Sequence, residues 1–375
     1  MCRKLLVSFL TVFFLLAMST CTEAYEKTSP EIVWQGTRLG KATDLIQGPN
    51  GLFYLPSGNK VAAVDDQGQK LWEAALSTGG KKGLPVFDGR GSIFFPGSAS
   101  IQEVKLNGSN GWHFNVYGDK NNSPMITFGP GNLLYLPLPS GLYALDAKGH
   151  YQWLRQQYES GNANCTKIAD KREILACAGN SQAVFVVTGK KGQGHSLLAL
   201  SGEGKILWRH WLGDIKTANL AVGCDGWLYA TVNHRLSKGM VYAFNSVGDG
   251  SPQWSYSIKD NNLTAPTLSR HGLLYFCAGN ELFALDLAGG SQVWSVLTNK
   301  TLSCPAVDED TLWVYLGTAD SRLLAVTPQG RLDWNLTLDG KVTARPLPGS
   351  DGTLYVATDK GSLYKIKTCA FARGE

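Results

Sequence analysis

The sequence predicts an all-β chain, a closed ring of eight four-stranded sheets in the form of an eight-bladed β-propeller. Three observations predict it. A glycine sits four residues before a tryptophan seven times, at Gly68/Trp72, Gly108/Trp112, Gly149/Trp153, Gly204/Trp208, Gly250/Trp254, Gly290/Trp294 and Gly330/Trp334. Counted from Trp34, the tryptophans fall 38, 40, 41, 55, 46, 40 and 40 residues apart, and a period near 40 with strand composition marks a propeller repeat. A small alanine lies nine to eleven residues before six of those seven tryptophans, at Ala63, Ala144, Ala199, Ala243, Ala284 and Ala325, while the seventh has Glu103 there. Charged residues are only 17% and glycines number 43, which is the composition of turn-rich β structure rather than of a helical or disordered chain.

Taken in order, residues 1–24 read as an export signal. Arg3 and Lys4 give the positive start, and Leu5 to Met18 is an apolar run of 14 residues, too short to span a bilayer. Two cleavage sites compete. Thr22-Glu-Ala24 is a small-residue site that would release a chain starting at Tyr25, whereas Cys21 is a candidate for lipidation as a first residue. Residues 25–375 then read as one propeller with no linker. Glu31-Ile-Val-Trp34 is a lone strand in phase with Trp72.

A unit is laid out best in the sixth repeat. Leu263 to Leu268 is the inner strand, Gly272 to Cys277 the second, Glu281 to Asp286 the third and Gln292 to Val296 the fourth. Turns of Gly, Asn, Asp and Ser separate them. The second strand recurs from Gly51, Ser92, Asn132, Ala183, Gly226, Thr311 and Gly352, which makes eight second strands against seven glycine–tryptophan turns. The last unit lacks its fourth strand, so the Trp34 strand is expected to complete that blade and close the ring, removing open sheet edges.

Each tryptophan (Trp34, Trp72, Trp112, Trp153, Trp208, Trp254, Trp294, Trp334) reads as a structural residue docking one blade on the next, a large flat ring facing a small alanine. Two repeats are oversized. One holds Leu154 to Lys171 and a loop from Gly189 to His195, and the other holds a loop from Asn233 to Gly239. Such insertions sit on propeller faces and often carry binding, so Lys190, Lys191, His195, His234, Arg235 and Lys238 are candidate partner-binding residues. The alternative is a plain solvated rim. Trp211 and Trp227 are further candidate anchors, with Trp227 placed in a strand.

The net charge is +5, about +3 once Arg3 and Lys4 are removed, with the lysines scattered and no basic–aromatic strip for a nucleic acid. Of eight cysteines, six lie beyond Cys21; Cys165–Cys177 is the favoured disulfide, and Cys277 and Cys304 read as buried thiols in strands. No histidine clusters with cysteine or acid at a metal-ligand spacing.

The run Ala284-Leu-Asp286 through Gly290 to Trp294 resembles the pyrroloquinoline-quinone-like propeller repeat, and Ala63-Val-Asp65 and Ala144-Leu-Asp146 resemble it next best. The likeness covers roughly residues 31–368. Elsewhere Lys105, Ser201, Asn245 and Thr327 replace the aspartate. One branch of that family implies a quinoprotein dehydrogenase with pyrroloquinoline quinone and calcium on the axis. Asp225 and Asp308 are candidate calcium carboxylates for it, but the paired cysteines of many alcohol-oxidising members are absent. The other branch, similar to the lipoprotein of the outer-membrane β-barrel assembly machinery, implies a non-catalytic envelope scaffold. That branch fits the length and the lack of a catalytic constellation. The expected function is therefore an exported, monomeric scaffold binding a protein partner through face loops, with membrane contact only through a lipid anchor. A quinone-dependent oxidoreductase or small-ligand propeller is the alternative.

Overall fold

The computed structural model describes residues 29–37, 39–77, 83–116, 125–156, 173–260, 262–298, 300 and 302–368. Among these, 32 strands form eight antiparallel four-stranded sheets, with one 3-10 turn at Pro130–Asn132. Blades 1 to 7 span 46–75, 86–115, 127–156, 173–213, 215–258, 267–297 and 306–337, each with its strands in sequence order. Blade 8 is built from both ends of the chain. Its strands Leu347–Pro348, Thr353–Ala357 and Leu363–Lys367 are joined by Glu31–Gly36, which pairs antiparallel to the third and sets Trp34 opposite Lys365. The ring is thus closed by the N-terminal strand. No helix among the described residues is long and apolar enough to cross a membrane.

Burial explains the residue patterns. The middle strands of each blade are covered on both faces by neighbouring blades, so they are almost continuously apolar: Phe53–Ser57, Ser92–Pro96 and Leu134–Leu138 are buried nearly throughout. The outer strands have only a partial cover and alternate between buried and exposed, as in Pro252–Ile258. There is no central core. Instead, the buried apolar residues fall into eight clusters, each shared by two adjacent blades. Tyr229, Val241 and Ala243 of blade 5, for example, pack with Leu274, Phe276 and Phe283 of blade 6. Phe53 and Leu55 of blade 1 pack with Tyr355 and Ala357 of blade 8 across the closure.

The repeat signature is a packing device. The six alanines stand directly across the ladder from their tryptophans, Ala63 opposite Trp72 through Ala325 opposite Trp334. Each indole also meets an aromatic ring of its own blade, as in Tyr54–Trp72 at 5.8 Å and Tyr275–Trp294 at 5.7 Å between centroids. It then reaches the next blade: Trp34, Trp112, Trp208, Trp254 and Trp294 donate Nε1–H to the carbonyls of Asp66, Ala147, Ser246, Leu287 and Pro328 at 2.8–3.0 Å. The glycine of that neighbouring turn makes room. Gly290 has φ +70°, and a Cβ there would stand 2.4 Å from Cε3 of Trp254. In blade 2 the exception is solved differently: buried Glu103 accepts from Ser92 Oγ at 2.6 Å, pairs with Lys105 and accepts from the Trp112 amide at 3.3 Å.

Three strand assignments differ from the sequence reading. The inner strand of blade 6 is only Thr267–Leu268, with a lone bridge at Leu263, because Pro266 cannot donate to the ladder. For the same reason Cys304, beside Pro305, lies outside the two-residue strand Ala306–Val307. Trp227 precedes the strand Leu228–His234 and packs half-buried against the core between blades 5 and 6.

Candidate docking face

Blades 4 and 5 break the symmetry of the ring. Prolines (Pro85, Pro266, Pro305, Pro346) stand immediately before the two-residue inner ladders of blades 2, 6, 7 and 8. The inner strands of blades 4 and 5 have none, and they run for seven and eight residues, Glu173–Gly179 and Ile215–Val222. The segments expected as loops are largely strand as well. Val184–Lys190 and Gly194–Leu200 leave only 191–193 as a turn, and Leu228–His234 and Gly239–Phe244 leave only 235–238. The excess length of these two repeats suggested loops, but much of it lengthens strands, and the polar residues there are satisfied in place. Asn233 is buried and donates from Nδ2 to Thr217 Oγ1 at 2.7 Å and to the Leu263 carbonyl at 3.1 Å. The outcome is a raised ridge at one end of the ring.

Asp214 holds the ridge together. It sits in the tight connection between the outer strand of blade 4, Ile206–Gly213, and the inner strand of blade 5. Its Oδ1 accepts from the Gly192 amide at 3.1 Å and from Arg235 Nε at 3.3 Å, and its carbonyl accepts from the Arg235 amide at 3.2 Å. One residue therefore ties three turns together. Arg235 Nη2 also lies 4.0 Å from Glu173 Oε2, and His195 Nε2 lies 3.5 Å from the same oxygen. His195 is fully buried, and burial pushes its imidazole below the ordinary histidine value against the pull of the Glu173 and Asp214 carboxylates.

The top of the ridge faces solvent. Leu236 is 98% exposed and Trp211 62% exposed, the latter packed against Gly194, where a Cβ would stand 2.3 Å from its Cη2 and Cζ2. Lys191 and Lys238 are exposed, while Lys190 and His234 are half-buried, and burial also lowers the His234 pKa. The six candidate partner-binding residues thus lie on two hairpins bridged through Asp214. Sequence reasoning missed Asp214, Glu173 and Leu236. The signal available for Leu236 was a lone large apolar residue in the polar run His234-Arg-Leu-Ser-Lys238.

The other candidates do not converge. Cys21 and Cys165 lie outside the described residues, as does most of the insertion from Leu154 to Lys171. Cys177 is a free thiol whose pKa burial pushes up. Asp225 accepts from Tyr229 Oη at 2.7 Å and from the Trp227 amide at 2.9 Å, and Asp308 accepts from the Asp310 amide at 3.0 Å. Both are committed to turns, two blades apart. No group of three or more metal-ligating side chains occurs among the described residues. The described residues therefore gather no donor set for a calcium ion, and the eight tryptophans are engaged between blades.

No curated protein matches the sequence. Solved structures with the same fold include the following three. BamB from Moraxella catarrhalis gives a TM-score of 0.64 at 16% identity over 90% of this chain and 100% of that one. The Dos1 propeller gives 0.72 at 12% over 90% and 95%. The computationally designed Ika8 protein gives 0.67 at 13% over 88% and 96%. A family model matches residues 22–201 and 193–347, nearly the whole repeat region, and on that match the chain belongs to the family of the outer membrane protein assembly factor BamB.

Proposed function

We propose that this protein is a non-catalytic, exported scaffold that docks another protein of the cell envelope on the ridge of blades 4 and 5. The carrying observation is the Asp214 knot, which fixes the 235–238 turn with Leu236 98% exposed at its tip. A large apolar side chain held out on a constrained turn costs little entropy to bind, which is the character of an interface anchor. Family membership supports the reading, since the family's description is that of an assembly factor for outer membrane proteins.

Site-specific photo-crosslinking tests it. A benzophenone side chain in place of Leu236, in protein made in its own cells, should give one discrete adduct. The adduct should vanish when Asp214→Ala is added. The control position is Val247, 60% exposed in the turn between the outer two strands of blade 5 at the other end of the ring. Equal labelling at Val247, or none at Leu236, defeats the placement.

A further inference from the structure

We propose that the segment docking on this ridge is acidic and carries an apolar side chain, an inference that rests on the docking reading above. Among the described residues, Glu173 and Asp214 are the carboxylates of the ridge, and both are already engaged, Asp214 with Arg235 and Glu173 with Arg235 and His195. Asp260, next along the same end of the ring, accepts from the Asn262 amide at 2.8 Å. Lys191, Lys216 and Lys238 are exposed, and no carboxylate among the described residues pairs with any of them.

These three lysines sit on or beside the turns that Asp214 ties together, near Leu236 in the chain or through that knot. Lys191 is in the blade 4 turn next to Gly192, which Asp214 fixes, and Lys216 follows Asp214 by two residues. Lys238 shares the 235–238 turn with Leu236. Exposed apolar groups accompanied by uncompensated cations on the same turns select a partner with an apolar side chain flanked by Asp or Glu, and the charges chiefly set specificity and encounter rate. A basic or neutral segment would leave the lysines unmatched or repelled.

The full chain, immobilised, is panned with a phage-displayed random dodecapeptide library. Enriched peptides are synthesised and their Kd measured by fluorescence anisotropy at rising salt. The expected result is Asp or Glu flanking Leu, Phe or Trp, with Kd rising with salt and at least about tenfold in the triple variant K191E/K216E/K238E and in L236S. Melting curves check that both variants remain folded. Peptides whose binding is lost in L236S but indifferent to charge reversal and salt overturn the acidic partner and leave the docking face standing. Peptides indifferent to both changes overturn both readings, and a library yielding no enrichment over the triple variant overturns the acidic partner. Co-sedimentation with phosphatidylglycerol vesicles, lost on charge reversal, without any acidic peptide enriched, reassigns the lysines to a lipid surface.

Discussion

Trp208→Phe and Trp334→Phe should differ in cost, although both indoles are buried to almost the same degree, 4% and 6% exposed. Trp208 stacks on Phe244 at 5.5 Å and donates Nε1–H to the Ser246 carbonyl at 3.0 Å. Phenylalanine there loses a hydrogen bond of about 1 kcal/mol, strands a buried carbonyl at about 1–3 kcal/mol, and leaves a small cavity. A total near 2–4 kcal/mol is expected. Trp334 keeps the ring contact with Tyr315 at 5.9 Å, but its Nε1 is buried without a partner among the described residues. The acceptor elsewhere is the turn between the third and fourth strands of the next blade. In blade 8 those strands, Leu363–Lys367 and Glu31–Gly36, come from opposite ends of the chain, and no such turn links them. Phenylalanine at 334 removes an unpaired donor, which offsets the cavity and brings the cost to within about 1 kcal/mol of zero. For a chain of this size the difference of roughly 2–3 kcal/mol corresponds to about 3–4 °C in Tm, measurable by calorimetry. Equal destabilisation by the two substitutions would refute the reasoning and show that Trp334 has an acceptor.

Gly290→Ala should destabilise by about 2–4 kcal/mol, since it combines a left-handed backbone with the collision against Trp254, and urea unfolding measures it. His195→Gln should flatten the acid side of the stability profile. Burial holds His195 below its ordinary value, so the unfolded chain binds its proton first and stability falls as pH drops below about 6.5. His210 and His234 shift in the same direction, so the slope of Tm between pH 6.5 and 5 should shrink without vanishing, and an unchanged slope excludes His195 as a source. Asp339→Asn should weaken the closure. The Asp339 carboxyl accepts from Gln35, Ser362 and Thr358; burial acts to raise its pKa, but the Ser362, Thr358 and Tyr364 hydroxyls and the Lys360 charge outweigh it and hold it low. Its contribution is therefore present above the usual aspartate value and lost as pH falls through the lowered one, so wild type and D339N should differ most in Tm at pH 7, with the gap narrowing as pH falls below the usual aspartate value.

The ring was legible because its signature is local. A glycine with positive φ and a tryptophan four residues later must stay in phase for one blade to dock on the next, so spacing alone counts the blades and places Trp34. The ridge was legible only in part. Gly189 to His195 and Asn233 to Gly239 read as loops because their repeats exceed the 40-residue period, whereas much of the extra length extends strands and Asn233 is buried and bonded within them. Asp214 left no trace, because its role depends on bringing Gly192 and Arg235, 22 and 21 residues away, to one carboxylate. The long inner strand expected from Leu263 failed at Pro266, where a missing donor outweighs the apolar pattern.

The closure across Glu31–Gly36 and Leu363–Lys367 also sets an order of events. These strands are separated by more than 300 residues, so their pairing is among the most distant contacts in the chain, and contacts of that kind form late. During synthesis the first strand emerges at the start and its partner only near the end. For the whole interval, Ile32 and Val33 lack their native partner strand, and any incomplete ring has open sheet edges. A chain crossing a membrane unfolded would pass through that state on the far side, where an escort covering the free strand would protect it until the final residues arrive.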